Sequence, residues 1–181
     1  RLTGKMTTEL FRWEGVEGDA NIHGPLSVAV PSSVAGYEKL HGTWGRLPLA
    51  EVMAPAVALA RRGLPVDWFS TLKILGSASV LAKYPESARI YLRDGLPRQP
   101  PADGSASYIV QGRLADTLER LGHAGLRDYY EGDVAASIAA DIKAAGGVID
   151  AGDLAATRAV LREPTEVAWR NGRVLQLTAG L

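Results

Sequence analysis

The 181-residue chain is 46% hydrophobic and 22% charged, enough apolar sequence to bury a sizeable core in one domain or in part of a larger one. Its twenty basic residues balance twenty acidic ones and nowhere cluster more densely than Ala60-Arg61-Arg62, which argues against a nucleic-acid partner. The sequence has no Cys, which excludes disulfides, thiolate metal sites and a Cys nucleophile, and no apolar run approaches the ~20 residues of a membrane-spanning helix.

The chain opens on Arg1 without a Met or a signal-type apolar segment, so any targeting sequence is expected to have been removed or never included. Gly4, Gly15, Gly18 and Gly24 punctuate the polar first thirty residues, which read as a loop anchored by Glu9-Leu10-Phe11-Arg12-Trp13. The short β-leaning run Ser27-Val28-Ala29-Val30 stops at Pro31. Ser32 or Ser33 then offers a side-chain cap to a helix over roughly Val34 to His41, ended by Gly42 or Gly45. From Leu49, apolar Val52, Met53, Ala56, Val57, Leu59 and Ala60 recur at helical spacing up to a C′ glycine, Gly63. Pro55 within that run predicts either a kink or a helix that begins near it.

Asp67 is placed to cap a helix carrying Trp68, Leu72, Leu75, Val80 and Leu81, closed by Tyr84-Pro85. Arg89 to Ser107, rich in Gly and Pro but containing Ile90-Tyr91-Leu92, reads as a surface loop packed on the domain. Leu114, Leu118 and Leu121 mark an amphipathic helix ending at Gly122 or Gly125, and Val134, Ile138 and Ile142 mark another ending at Gly146-Gly147. Val148-Ile149, Thr165 to Trp169 and Arg173 to Leu177 are strand-like, and no partner strand is evident for Val174 to Leu177. The whole, residues 1–181, is expected to be a single, mostly helical domain with strand near its end.

Chemistry is sparse in this pattern. His23, His41 and His123 stand apart from one another and from any carboxylate at ligand spacing, so no metal site is assigned. No phosphate-cradling Gly-rich loop with a following Lys-Ser/Thr occurs, and no Ser lies in a Gly-x-Ser-x-Gly context. No cofactor is expected. Ser32-Ser33 reads first as a helix cap, with Val34-Ala35-Gly36 supplying small residues where that helix approaches a neighbour.

Two stretches taken together go further. Val30-Pro31-Ser32-Ser33-Val34-Ala35-Gly36-Tyr37 is followed by Asp128-Tyr129-Tyr130-Glu131-Gly132, Ala144 to Ile149 and Asp153-Leu154-Ala155-Ala156-Thr157. In this order and at about this distance they resemble the large subunit of the γ-glutamyltransferase (γ-glutamyl transpeptidase) family. Gly45-Arg46-Leu47-Pro48-Leu49, Gln111 with Leu114, and Pro164 through Trp169-Arg170-Asn171-Gly172 extend the resemblance over most of the chain. Ser32 replaces the first Gly of the family's Pro-Gly-Thr/Ser-Val-Ala-Gly; where that glycine has positive φ, Ser costs about 1 kcal/mol unless the turn changes shape. Leu177-Thr178-Ala179-Gly180 stands where the family has a Pro-Pro-Ser-Ser-Gly-Gly loop.

The resemblance implies an α/β (α+β) fold, the αββα sandwich of N-terminal-nucleophile hydrolases, of which this chain is the mostly helical large-subunit part. It implies γ-glutamyl acyl transfer or hydrolysis on glutathione-type substrates, with the catalytic Thr opening a second polypeptide, the small subunit. No catalytic residue is therefore expected here. The large subunit's own contribution is an Arg that pairs with the substrate α-carboxylate, and Arg1 is the candidate by position, although the family's following Glu and Ala-Pro are not present. Lys5 or Arg12 could serve instead, and a solvated terminal residue is the plain alternative for Arg1. A periplasmic or secreted location is suggested by the resemblance alone. Two other classes stay open: an inactive relative, and a non-catalytic helical interaction domain.

Overall fold

The computed structural model describes residues 19–172 and 174–177. Helix α1 (Ser33–Trp44) follows Pro31, as the sequence predicts, and closes at Gly45, whose N–H donates to the His41 carbonyl. Its capping is not the expected one. Ser32 occupies the N-cap position but makes no side-chain cap bond, and its φ of −108° removes the strain anticipated for a non-glycine residue there.

Helix α2 (Leu49–Arg62) runs through Pro55 rather than starting at it. Val57 is buried and Met53 half-buried, whereas Val52 and Leu59, counted from the sequence as part of the same seam, face outward. Gly63 ends the helix as predicted, at φ 93°, and a Cβ at this position would lie 2.6 Å from the Ile109 carbonyl oxygen. Only glycine suits both demands. The close approach lets β1 (Leu64–Pro65) pair antiparallel with Tyr108–Ile109.

Asp67 caps α3 (Trp68–Gly76) by accepting from the Ser70 N–H at 2.7 Å. The single helix expected beyond it is broken at Ser77, with α4 (Ala78–Leu81) following. Pro85 opens α5 (Pro85–Tyr91) instead of only closing what precedes it, because a first-turn proline loses no helical bond. The segment read as loop then forms a small hairpin, β2 (Leu92–Arg93) with β3 (Leu96–Pro97), turning at Asp94-Gly95 with positive φ at both residues. It packs on the domain: Leu92 is buried, and the Thr71 hydroxyl donates to the Arg98 carbonyl. Tyr108–Ile109 is β4.

Helix α6 (Leu114–Ala124) ends at Gly125, while Gly122 sits inside it against the Ala50 backbone of α2, where a Cβ would approach Ala50 Cα to 3.4 Å. Leu121 is buried there; Leu114 is exposed. The short α7 (Asp128–Glu131) and the longer α8 (Asp133–Ala144) follow, with Val134, Ile138 and Ile142 of α8 turned to the core as their spacing predicts. Ile149 is buried but belongs to no sheet, so Val148-Ile149 is not a strand. Asp150 and Asp153 then form a reciprocal capping box on α9 (Ala151–Ala155).

The last described segment is a hairpin of β5 (Thr165–Ala168) with β6 (Val174–Leu177), Val167 opposite Leu175 and Thr165 opposite Leu177. Residues 174–177 thus have a pairing strand, contrary to the sequence reading. Antiparallel register puts Thr165, Val167, Leu175 and Leu177 on one face, and all eight strand residues are exposed.

Candidate functional site

The two sequence stretches that stood out meet in one buried cluster: Val30 and Ala35 from the first, Tyr130, Ile149 and Leu154 from the second, and Ala135 of α8. Tyr130 is its centre and is fully buried. The phenol accepts from the Ala35 N–H at 2.9 Å and donates to the Pro31 carbonyl at 2.8 Å. It thereby supplies the partner for an unpaired first-turn N–H that the serines were expected to supply. Burial pushes the Tyr130 hydroxyl up, so it stays protonated and able to donate.

Four positions of Asp128-Tyr129-Tyr130-Glu131-Gly132, all but Tyr129, acquire a physical role around this contact. The Asp128 carboxylate receives Arg120 at 2.8 and 3.0 Å and the N–H groups of Asp133 and Val134 at the start of α8. A Cβ on Gly132 would collide with that carboxylate. The Arg127 guanidinium lies 5.0 Å over the Tyr130 ring and donates to the Thr157 and Ala155 carbonyls and to Glu131. Arg158 shares Glu131 at 2.7 Å and bonds the same two carbonyls. The helix holding the first motif, the turn holding the second and the chain after α9 are therefore one unit.

The sequence pointed to Tyr130 and Gly132 as motif positions but not to Arg127, Arg158 or Arg120. An Arg four residues before Glu131 was a visible signal; the carbonyls of Ala155 and Thr157, to which it also reaches, were not. The Arg120 hydrogen bonds hold the Asp128 carboxyl below the ordinary carboxylate range, with burial opposing them. In this window the unfolded chain binds the extra proton, so the contribution is full above the ordinary Asp value of about 3.9 and is lost as pH falls through the lower folded value. Asp128→Asn is expected to cost about 1 kcal/mol at neutral pH and to flatten the acid side of the stability profile, checked by urea midpoints between pH 3 and 6.

Beside the hub lies an open cleft of about 380 Å³ between Glu38, Lys39 and Gly42 of α1 and Arg158 and Ala159. The Ser27, Thr43, Thr71 and Thr157 hydroxyls donate to backbone carbonyls and not to a base. Among the described residues no three His, Asp or Glu side chains cluster as a metal site requires, and no helix is long and apolar enough to cross a membrane. Arg1 lies outside the described residues, as do its alternatives Lys5 and Arg12.

What the structure exposes is apolar. Tyr37, Leu40 and Trp44 make a stripe along α1 and are more than half exposed, and Gly36 beside them meets no neighbour among the described residues. The close approach expected of Val34-Ala35-Gly36 is made at Val34 and Ala35, which pack on the hub, and not at Gly36. The Val167, Leu175 and Leu177 face of the terminal hairpin is likewise uncovered. These surfaces are the faces on which a further layer of protein can pack.

Comparison with known proteins gives this arrangement a context. The family model described as gamma-glutamyltranspeptidase matches residues 3–180. The chain is 32% identical over 180 residues to the acylase ACY 1 proenzyme of Pseudomonas sp. strain SE83, covering 95% of this chain and 31% of that protein. It is 33% identical over 154 residues to the glutathione hydrolase proenzyme of Escherichia coli, covering 84% and 26%. Among solved structures, Helicobacter pylori gamma-glutamyltranspeptidase superposes with a TM-score of 0.84 at 28% identity, over 97% of this chain and 49% of that one. Cephalosporin acylase from Bacillus halodurans gives 0.78 at 27% identity, over 94% and 32%. The chain thus spans about a third or less of the length of these two curated relatives.

Proposed function

The chain belongs to the gamma-glutamyltranspeptidase family, and from that premise we propose that it is the large-subunit portion of an enzyme that transfers or hydrolyses γ-glutamyl groups. Its fold class is the αββα sandwich of the N-terminal-nucleophile hydrolases, of which the described residues form a mostly helical part. The nucleophile in this reading is the N-terminal Thr of a small subunit produced by cleavage of a precursor. The word proenzyme in the names of the Pseudomonas and Escherichia coli relatives supports such processing. We take residues 1–181 as a single domain of that assembly.

The observation that carries the reading is the hub: both family stretches are spent on one buried contact at Tyr130, which fixes the start of α1 and leaves its apolar face open for a partner. In the reaction the Thr hydroxyl attacks the γ-carbonyl while its own α-amine takes the proton and hands it to the leaving amine as the γ-amide bond breaks; the acyl-enzyme then gives its acyl group to water or to an amine. Backbone N–H groups on the partner hold the oxyanion. This chain's part is to bind the γ-glutamyl α-carboxylate through Arg1, whose planar fork suits a bidentate pair.

A charge-assisted bond of this kind is worth ~1.5–3 kcal/mol, so in the processed enzyme Arg1→Ala is expected to lower kcat/KM for a γ-glutamyl anilide by about one to two orders of magnitude. Arg1→Lys recovers part of it, and the loss shrinks for donors without the α-carboxylate. If Lys5 or Arg12 shows the loss and Arg1 does not, the role passes to that residue. Silence at all three opposes the γ-glutamyl reading and favours an inactive relative or a different acyl group.

The second reading is specific. Two of the similar proteins are acylases by name, one of them a cephalosporin acylase. An N-acyl amide lacking the α-carboxylate would need no Arg1, which fits the missing Glu and Ala-Pro after it. Preference for a butyryl anilide, which lacks the α-carboxylate, over the γ-glutamyl anilide, with Arg1→Ala silent, selects this reading.

A further inference from the structure

We propose that Asn171 is a site of spontaneous covalent modification, at which the backbone nitrogen of Gly172 displaces the side-chain amide as ammonia and leaves the turn as a mixture of aspartyl and isoaspartyl forms. Asn171-Gly172 is the only Asn-Gly pair in the chain; the other asparagine, Asn21, precedes Ile22. The pair lies in the turn of the β5–β6 hairpin, beyond the last strand pair of Ala168 with Val174. Asn171 has φ 60° and ψ 40° and Gly172 φ 71°, the left-handed succession that suits Asn-Gly in a hairpin turn.

The attacking nitrogen is unhindered, since Gly172 is exposed and even a Cβ added to it would meet no atom within 4 Å. The Asn171 carboxamide is exposed and has no hydrogen-bond partner among the described residues, so nothing holds it in place. In the folded turn a ψ of 40° sets the Gly172 nitrogen nearly opposite the Asn171 Cβ, so ring closure waits on rotation of ψ. That rotation opens the turn and not the strand ladder. Trp169 and Arg170 are exposed as well, and a turn without buried side chains sits at the low end of local opening free energies. Once open, the attack is intramolecular and closes an unstrained five-membered ring. The bond between Gly172 N and Asn171 Cγ forms as the Cγ–Nδ2 bond breaks, and the Gly172 amide proton leaves with Nδ2 as ammonia. Water then opens the succinimide. Addition at Cγ restores the original main chain with an aspartate side chain. Addition at the backbone carbonyl carbon breaks its bond to Gly172 N and gives isoaspartate, whose main chain is longer by one carbon and so disturbs the turn that joins β5 to β6. The inference is independent of the acyl-transfer reading, since an inactive protein has the same turn.

The test is incubation of the folded, full-length protein that carries this chain at pH 7 and pH 9, followed by peptide mass spectrometry and by labelling with a protein isoaspartyl methyltransferase. The expected result is conversion of amide to acid at Asn171, with isoaspartyl label in the same peptide. Conversion should be about tenfold or more faster than at Asn21, where the branched Ile22 crowds the attacking nitrogen. It should also be faster at pH 9 than at pH 7, because the amide nitrogen attacks in its deprotonated form. Asn171→Gln, whose longer side chain would have to close a six-membered ring, is expected to lose both signals with the unfolding temperature unchanged. A folded protein that keeps the Asn171 amide while the urea-unfolded protein loses it overturns the proposal, because the turn then does not open. Equal rates at Asn171 and Asn21 overturn it as well. So does acid formation without isoaspartyl label, which would mean direct hydrolysis by water rather than attack by Gly172.

Discussion

Tyr130→Ala is expected to remove about 5 kcal/mol of folding stability, a large part of the 5–15 kcal/mol that a domain possesses. The ring is fully buried, so truncation leaves a cavity among Val30, Ala35, Ile149 and Leu154, a change that costs ~3–5 kcal/mol for an aromatic residue. The hydroxyl adds to this. Its loss strands the N–H of Ala35, which is 2% exposed, and one bond to the Pro31 carbonyl. Tyr130→Phe isolates that second part, and its expected cost is about 1–3 kcal/mol because a buried donor is left unpaired. Urea unfolding of the full-length protein reads both variants. A Phe variant within 0.5 kcal/mol of the parent would mean that the phenol does not anchor α1, and the hub as described would fall.

That contact also marks where sequence reasoning stops. Ala35 and Tyr130 are 95 residues apart, and nothing local to either reveals that a phenol, rather than a neighbouring serine, receives the first-turn N–H. Features set by local chemistry were legible. Asp67 caps α3, Gly63 and Gly125 close their helices, and Val134, Ile138 and Ile142 face the core, because caps, positive φ and helical period act within a few residues. Helix α5 was missed because Pro85 both ends one segment and starts the next. The β2–β3 hairpin was missed because its Asp94-Gly95 turn sits among prolines that read as loop. The open seams of α2 and α3 were miscounted for a different reason: periodicity tells that a face is apolar, not which protein covers it. The family resemblance, by contrast, rested on short motifs in order, and five of its residues, Val30, Ala35, Tyr130, Ile149 and Leu154, proved to be spent on the hub.

The isolated chain is expected to show no turnover of a γ-glutamyl anilide, and co-production with the small-subunit sequence is expected to restore it. Thr43, Thr71 and Thr157 spend their hydroxyls on backbone carbonyls, so none of the three is poised as a nucleophile against a base. The β5–β6 hairpin pairs only with itself among the described residues, leaving two strand edges and the Val167, Leu175 and Leu177 face uncovered. An exposed apolar hairpin is marginal alone and becomes stable when further strands or a helix layer join it. Assembly should therefore protect the outward-facing amides of β6, which the β5 pairing leaves free, and do so together with the return of activity. Turnover by the purified chain alone would remove the two-chain model. Activity on co-production with residues 174–177 still as exchangeable as the surface at residues 99–107 would keep the enzyme but move its partner to another face, of which the Tyr37, Leu40 and Trp44 stripe of α1 is the next in line.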